Sequence, residues 1–257
     1  MFELFMALIT ANQRLNLMIF LWFLVTSTTF AMPVIGSSGV VTGYILAILM
    51  AAVIMVVAEE KEPAKIKERL SSMSIWEILS KPSKMAVLGA YVGMVINTMV
   101  IGISSVVFFA LSTLPVLSFA AFNPEKWKQV MGTGYTLIYL FLMLGITLYI
   151  AFNFIFTCSV AMTKGFTQKD FSQALVESLK GLTPRYFLLS LKPGLFKPSL
   201  VLTLIAVAGA MVALVMAVLM GIAGLPIASA FGAFLGVVLF HANIAFHYRC
   251  LQIMGLI

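Results

Sequence analysis

Residues Met85–Leu111 read MAVLGAYVGMVINTMVIGISSVVFFAL, 27 positions without one charged side chain. A helix needs about 20 apolar residues to cross the ~30 Å hydrocarbon core of a bilayer, so this stretch is long enough to span. Five more runs of the same kind flank it: about Leu15–Met32, Val40–Ala58, Thr133–Ser159, Leu200–Gly221 and Ile227–Cys250. Together they predict an all-α fold, a polytopic membrane bundle of six transmembrane helices. Composition agrees. Of 257 residues 62% are hydrophobic and 10% charged, with mean hydropathy +1.10, whereas a soluble domain carries roughly 25% charged residues. The polar segments between runs stay under about 40 residues, short of the ~50 of a small folded domain. Residues 1–257 are therefore expected to form a single membrane domain without a separate soluble enzyme.

Orientation follows from the basic residues. With the N-terminus inside, Arg14, Arg249, six cations in loop 59–84 (Lys61, Lys65, Lys67, Arg69, Lys81, Lys84) and six in loop 163–199 (Lys164, Lys169, Lys180, Arg185, Lys192, Lys197) are cytoplasmic. Only Lys126 and Lys128 fall outside. Short loops rich in Lys and Arg stay on the cytoplasmic side, so both termini are expected there. The same bias accounts for the net charge of +7 without nucleic acid as a partner. Cys158 and Cys250 are too few and too far apart for a disulfide framework and read as apolar packing residues. Arg14, Leu17–Val25 and Thr29–Ala31 have the layout of a signal peptide. The apolar run continues to Met32, so it is expected to remain as a span.

Turn residues punctuate the chain at Pro33, Gly36 to Gly39, Asn123-Pro124 and Gly224 to Pro226. Three amphipathic segments are expected to lie in the cytoplasmic headgroup layer. Met1–Ala11 carries Phe2, Phe5, Leu8 and Ile9. Ala64–Ser80 carries Ile66, Leu70, Met73 and Trp76 at helical spacing. The third starts with Thr167 as cap, Asp170 three residues on, and an apolar stripe of Phe171, Leu175, Leu179 and Leu182.

Small and polar residues inside the runs are the candidate sites. Gly209, Ala213, Ala217 and Gly221 recur every four residues, answered by Ala228, Gly232 and Gly236. Such strips let helices approach closely in lipid, and the short turn between these runs favours an intramolecular hairpin over a homo-oligomer interface. Gly89, Gly93 and Asn97 form a similar strip. Asn97, Asn153, Asn243, His241 and His247 are polar groups at membrane depth, expected to pair with other helices and, less often, to serve a substrate. His241 and His247 are six apart and cannot share a face, which argues against a metal site. No Asp or Glu falls within a run. No nucleotide, hydrolase or metalloprotease motif is present. Catalytic residues, cofactors and metals are accordingly not expected.

Gly165-Phe, Phe171-Ser-Gln-Ala174-Leu, Ser178-Leu-Lys-Gly181, Arg185-Tyr-Phe-Leu-Leu189 and the closing Tyr248-Arg249 resemble the YciC-like and related bacterial integral membrane protein families, over residues 160–250. That resemblance implies a multi-pass protein of the cell inner membrane and no particular chemistry. In layout the chain also resembles permeases of the ABC-2 type, whose cytoplasmic helix between spans two and three docks on a separate ATPase; Ala64–Ser80 is the counterpart here. The long 163–199 loop and the short link between the last two spans depart from that pattern. The leading expectation is a non-enzymatic envelope protein whose Lys164, Lys169, Lys180, Arg185 and Arg249 hold anionic lipid headgroups. The alternatives are a permease subunit with an ATPase partner and a membrane immunity or resistance protein.

Overall fold

The computed structural model describes residues 2–29, 35–60, 62–132, 134–190 and 222–255, with the single residues 194, 215 and 219. Among them are eleven α-helices and no strand: α1 (Phe2–Ala11), α2 (Gln13–Thr29), α3 (Ile35–Glu59), α4 (Pro63–Ser72), α5 (Ile75–Ser80), α6 (Lys84–Phe122), α7 (Pro124–Gly132), α8 (Tyr135–Gly165), α9 (Phe171–Leu179), α10 (Pro184–Ser190) and α11 (Leu225–Met254). By length and apolar character α6, α8 and α11 suffice to cross a membrane, and α1 with α2 makes a fourth if the bent pair counts as one. Apart from Val215 and Leu219, the expected run at Leu200–Gly221 lies outside the described residues.

The chain turns by 89° between α1 and α2, and Asn12 makes the corner. Its Oδ1 accepts from the Leu15 amide at 3.0 Å, an N-cap for α2. Its Nδ2 donates to the Leu70 and Met73 carbonyls at 2.9 and 3.3 Å. The Ser71 hydroxyl donates to the Ala11 carbonyl at 2.7 Å. Helix α1 buries Leu4, Ala7, Leu8 and Ala11 against α4 and α11, leaving Phe2 and Met6 exposed. It is therefore covered by protein on one side, with Leu8 on the covered side and Phe2 on the open one.

The expected single helix Ala64–Ser80 is two. Ser74 breaks it: its hydroxyl accepts from the Glu77 amide while the Glu77 carboxylate accepts from the Ser74 amide at 2.6 Å, a reciprocal capping box that starts α5. Ile66 and Leu70 are buried in α4, but the break turns Trp76 outward to 82% exposure and buries Ile78 instead. Glu59 and Glu60 tie the surrounding helices together. Arg69 of α4 pairs with both carboxylates, Lys81 reaches Glu59 at 2.6 Å, and the Tyr248 hydroxyl of α11 donates to the Glu60 carbonyl at 3.1 Å.

Helices α6 and α8 have 39 and 31 residues, about 58 and 46 Å at 1.5 Å per residue. Both exceed the ~30 Å of a bilayer core. Helix α6 continues through Pro115, past the expected end at Leu111. Exposed apolar side chains cluster from Ile96 to Leu114 on α6 and from Tyr135 to Ile150 on α8, with Met85 and Phe122 also exposed near the two ends of α6; the clusters are roughly 27 and 23 Å long. Contiguous apolar surface on that scale is not stable against water. The lengths 86–95 and 154–165 are buried or half-buried against protein.

Candidate functional site

The covering element is α9, and it does not lie where the apolar stripe placed it. The buried side of α9 is Ala174, Glu177 and Ser178, with Gly181 beyond it, whereas Phe171, Leu175, Leu179 and Leu182 are only half-buried. The helix is wedged between α6 and α8, and glycines make the gap. A Cβ on Gly89 would strike the Phe171 carbonyl, and one on Gly93 would stand 2.7 Å from Ser178 Cβ. One on Gly165 would sit 3.0 Å from the Ala174 carbonyl, and one on Gly181 2.5 Å from Cys158 Cα. Hydrogen bonds then fix the register. The Asn97 amide donates to the Ser178 carbonyl at 2.9 Å, the Ser178 hydroxyl to the Ala90 carbonyl at 2.9 Å, and the Thr157 hydroxyl to the Gly181 carbonyl at 2.8 Å. The strip Gly89-Gly93-Asn97 thus has its partner, a short helix. Asp170, not Thr167, caps α9, accepting from the Gln173 amide at 2.8 Å; the Thr167 hydroxyl donates back to the Lys164 carbonyl.

Glu177 is the charge at the centre of this wedge. It is 9% exposed, and its carboxylate is met by Lys180 at 2.6 Å, Lys164 at 3.4 Å and the Tyr186 hydroxyl at 2.9 Å. Burial alone would raise its pKa. The hydrogen bonds from Lys180 and Tyr186 and the two lysine charges outweigh burial and hold it below the usual carboxylate range. Burial, and then the neighbouring carboxylate, push the Tyr186 phenol up. Among the expected headgroup cations, Lys164 and Lys180 are therefore engaged by Glu177. Lys169 and Arg185 are exposed and have no ion pair among the described residues. Arg249 is exposed and donates to the Gln252 side chain at 3.2 Å. Lys192 and Lys197 lie outside the described residues.

The polar residues of α11 are separate from the wedge. His241 is fully buried, with Nδ1 at 2.8 Å from the Val237 carbonyl. His247 repeats the arrangement with the Asn243 carbonyl at 2.8 Å. A carbonyl only accepts, so Nδ1 carries the proton in both rings, leaving each Nε2 a buried acceptor without a partner among the described residues. Asn243 faces α3, its amide nitrogen 3.9 Å from the Met50 sulfur. Asn153 donates to the Tyr149 carbonyl of its own helix at 2.9 Å, its one hydrogen bond among the described residues. The described residues contain no group of three or more His, Cys, Asp or Glu placed to hold a metal.

Of the expected packing strips, Gly209, Ala213, Ala217 and Gly221 lie outside the described residues. Ala228, Gly232 and Gly236 are buried, and at Gly236 the neighbour is α2: a Cβ there would stand 2.6 Å from the Phe23 ring. Above it a cavity of about 470 Å³ opens between α2, α3, α6, α8 and α11. The capping box at Ser74 and the carboxylate at Glu177 are the two features that sequence reasoning missed. Ser74-x-x-Glu77 carried the signal for the first. For the second, Lys164 and Lys180 bracket Glu177 in sequence, but which side of α9 is buried was not readable. Comparison with protein families, curated proteins and solved structures finds no match to this chain.

Proposed function

We propose that this chain is a six-span protein of a bacterial inner membrane, with both termini cytoplasmic, that acts without catalysis by holding anionic lipid headgroups at its cytoplasmic face. The observation that carries the reading is the position of Lys169 and Arg185. Both are exposed, on the segment that wedges beneath the apolar bands of α6 and α8. Glu177 occupies Lys164 and Lys180, so the unpaired pair is left for phosphate. A Lys or Arg near an anionic surface contributes about 1 kcal/mol. Purification in native nanodiscs tests this by the share of anionic phospholipid retained. It should exceed the bulk share for the wild type and fall several-fold in Lys169→Gln/Arg185→Gln. A wild-type share equal to bulk overturns the reading.

A permease subunit is the second reading, favoured by the corner at Asn12. Helix α4 exposes Lys65, Lys67 and Glu68 while its last turn is hydrogen-bonded to the corner that starts α2. A protein seated on α4 would thus be coupled to a span. A stoichiometric nucleotide-binding ATPase co-purifying with the wild type, and lost in Lys65→Glu/Lys67→Glu, favours it; purification without such a protein removes it.

A further inference from the structure

The cavity between α2, α3, α6, α8 and α11 belongs neither to the wedge nor to the exposed cations. Its volume of about 470 Å³ falls in the range of roughly 300–1,000 Å³ typical of small-molecule sites. Among the described residues its walls hold no charged side chain. Three of them are methionines, Met50, Met94 and Met162, unbranched and adaptable in shape. Two polar side chains line it, Tyr91 and Asn243. Asn243 on α11 has only the thioether of Met50, 3.9 Å away, beside its amide nitrogen. Its side-chain oxygen has no hydrogen bond among the described residues. A thioether is a poor acceptor, and a carboxamide at membrane depth is costly without a partner.

We infer that this cavity binds an uncharged single-chain lipid, its alkyl or isoprenoid chain along the methionine wall and its hydroxyl, carbonyl or amide head against Asn243. A neutral head follows from the walls: an ion there would have no counter-charge, and burying one unpaired is prohibitive. The carboxamide donates and accepts, so an alcohol head satisfies both of its atoms. The inference rests on the membrane reading but not on the cytoplasmic cations, so loss of anionic-lipid enrichment leaves it standing.

A hexadecanol carrying a mid-chain diazirine, photolysed with the full-length protein in nanodiscs, is the probe. Adducts are expected on peptides containing Met50, Met94, Met162 or Leu239. Excess unlabelled 1-hexadecanol should remove at least nine-tenths of them, whereas palmitate and hexadecylammonium should compete at least tenfold less well. Ala47→Phe, which fills the space, should lower these adducts about tenfold, and Asn243→Leu should weaken competition by the alcohol at least fivefold. Competition in the wild type needs no variant, so a misfolded Ala47→Phe does not decide the matter. Adducts confined to the lipid-facing bands, around Ile103 and Leu142, overturn the inference, as do cavity adducts that 1-hexadecanol does not displace. Equal competition by the charged amphiphiles overturns the neutral head.

Discussion

Glu177 concentrates the electrostatics of the wedge in one carboxylate. Two lysines and a phenol converge on it, and the net effect is a lowered pKa. The sign of its pH dependence follows. A carboxyl group whose pKa is lower in the folded than in the unfolded chain stabilises the fold above the unfolded value, and that contribution is lost as pH falls through the folded one. Thermal stability in detergent should therefore be insensitive to Glu177 between pH 7.5 and 5.5 and should decline below the ordinary carboxyl value of 4.5. Glu177→Gln should cost about 1.5–2 kcal/mol at pH 7, the lower part of the range for hydrogen bonds to charged groups, because Lys180 is half exposed and can turn to water. The variant should also lose part of the acid-induced decline. Equal midpoints for both proteins across this range would remove Glu177 as the wedge's fastening.

At the scale of elements, α9 and the two long helices form one unit. Its geometry depends on absent side chains: Gly89 and Gly93 on α6, Gly165 at the end of α8 and Gly181 after α9. Gly93→Val should push α9 away from α6 at Ser178 and Leu175, at a cost of about 1–3 kcal/mol, as overpacking does. The check is limited proteolysis within 166–183, expected to accelerate at least fivefold, while Gly102→Val, where nothing lies within 4 Å, should leave it unchanged. Unchanged cleavage in Gly93→Val would mean that α9 is not held there. This unit also marks where reading the sequence stopped. The strip Gly89-Gly93-Asn97 was visible, and so was the helix at Phe171, but not their pairing. Hydropathy follows large apolar residues and so selected Phe171, Leu175 and Leu179. The contact is made by Ala174, Ser178 and Gly181, whose value lies in close approach and backbone hydrogen bonding. A matching spacing of small residues on both elements, 89/93/97 against 174/178, was the available signal. Similarly, propensity carried Ala64–Ser80 as one helix because the capping chemistry of Ser74 was outweighed by the run of apolar positions.

For the whole molecule, the apolar runs at Met85–Leu111, Thr133–Ser159 and Ile227–Cys250 fall in α6, α8 and α11, the three described helices long and apolar enough to cross a membrane, with α1 and α2 a fourth if the bent pair counts as one. The run at Val40–Ala58 falls in α3, whose apolar stretch Gly43–Glu59 is shorter. Hydropathy does not separate the apolar residues of α6 and α8 that stay exposed from those that meet the wedge. The proposed topology is open to cysteine mapping. Cys158 and Cys250 are both buried and should give little background. Cysteines replacing Lys67 and Lys169 should react with an impermeant maleimide only from the cytoplasmic side, and one replacing Lys126 only from the opposite side. Labelling of Lys126→Cys from the cytoplasmic side alone would reverse or abolish the six-span arrangement. The corner at Asn12 has a consequence for synthesis. Its longer-range bonds go to a carbonyl 58 residues later in the chain, and at roughly 5–20 residues per second the ribosome needs about 3–12 seconds to deliver it. Until then the opening two helices lack that clasp, so the protein's first bend is completed only after one further long helix, α3, and most of α4 have been made.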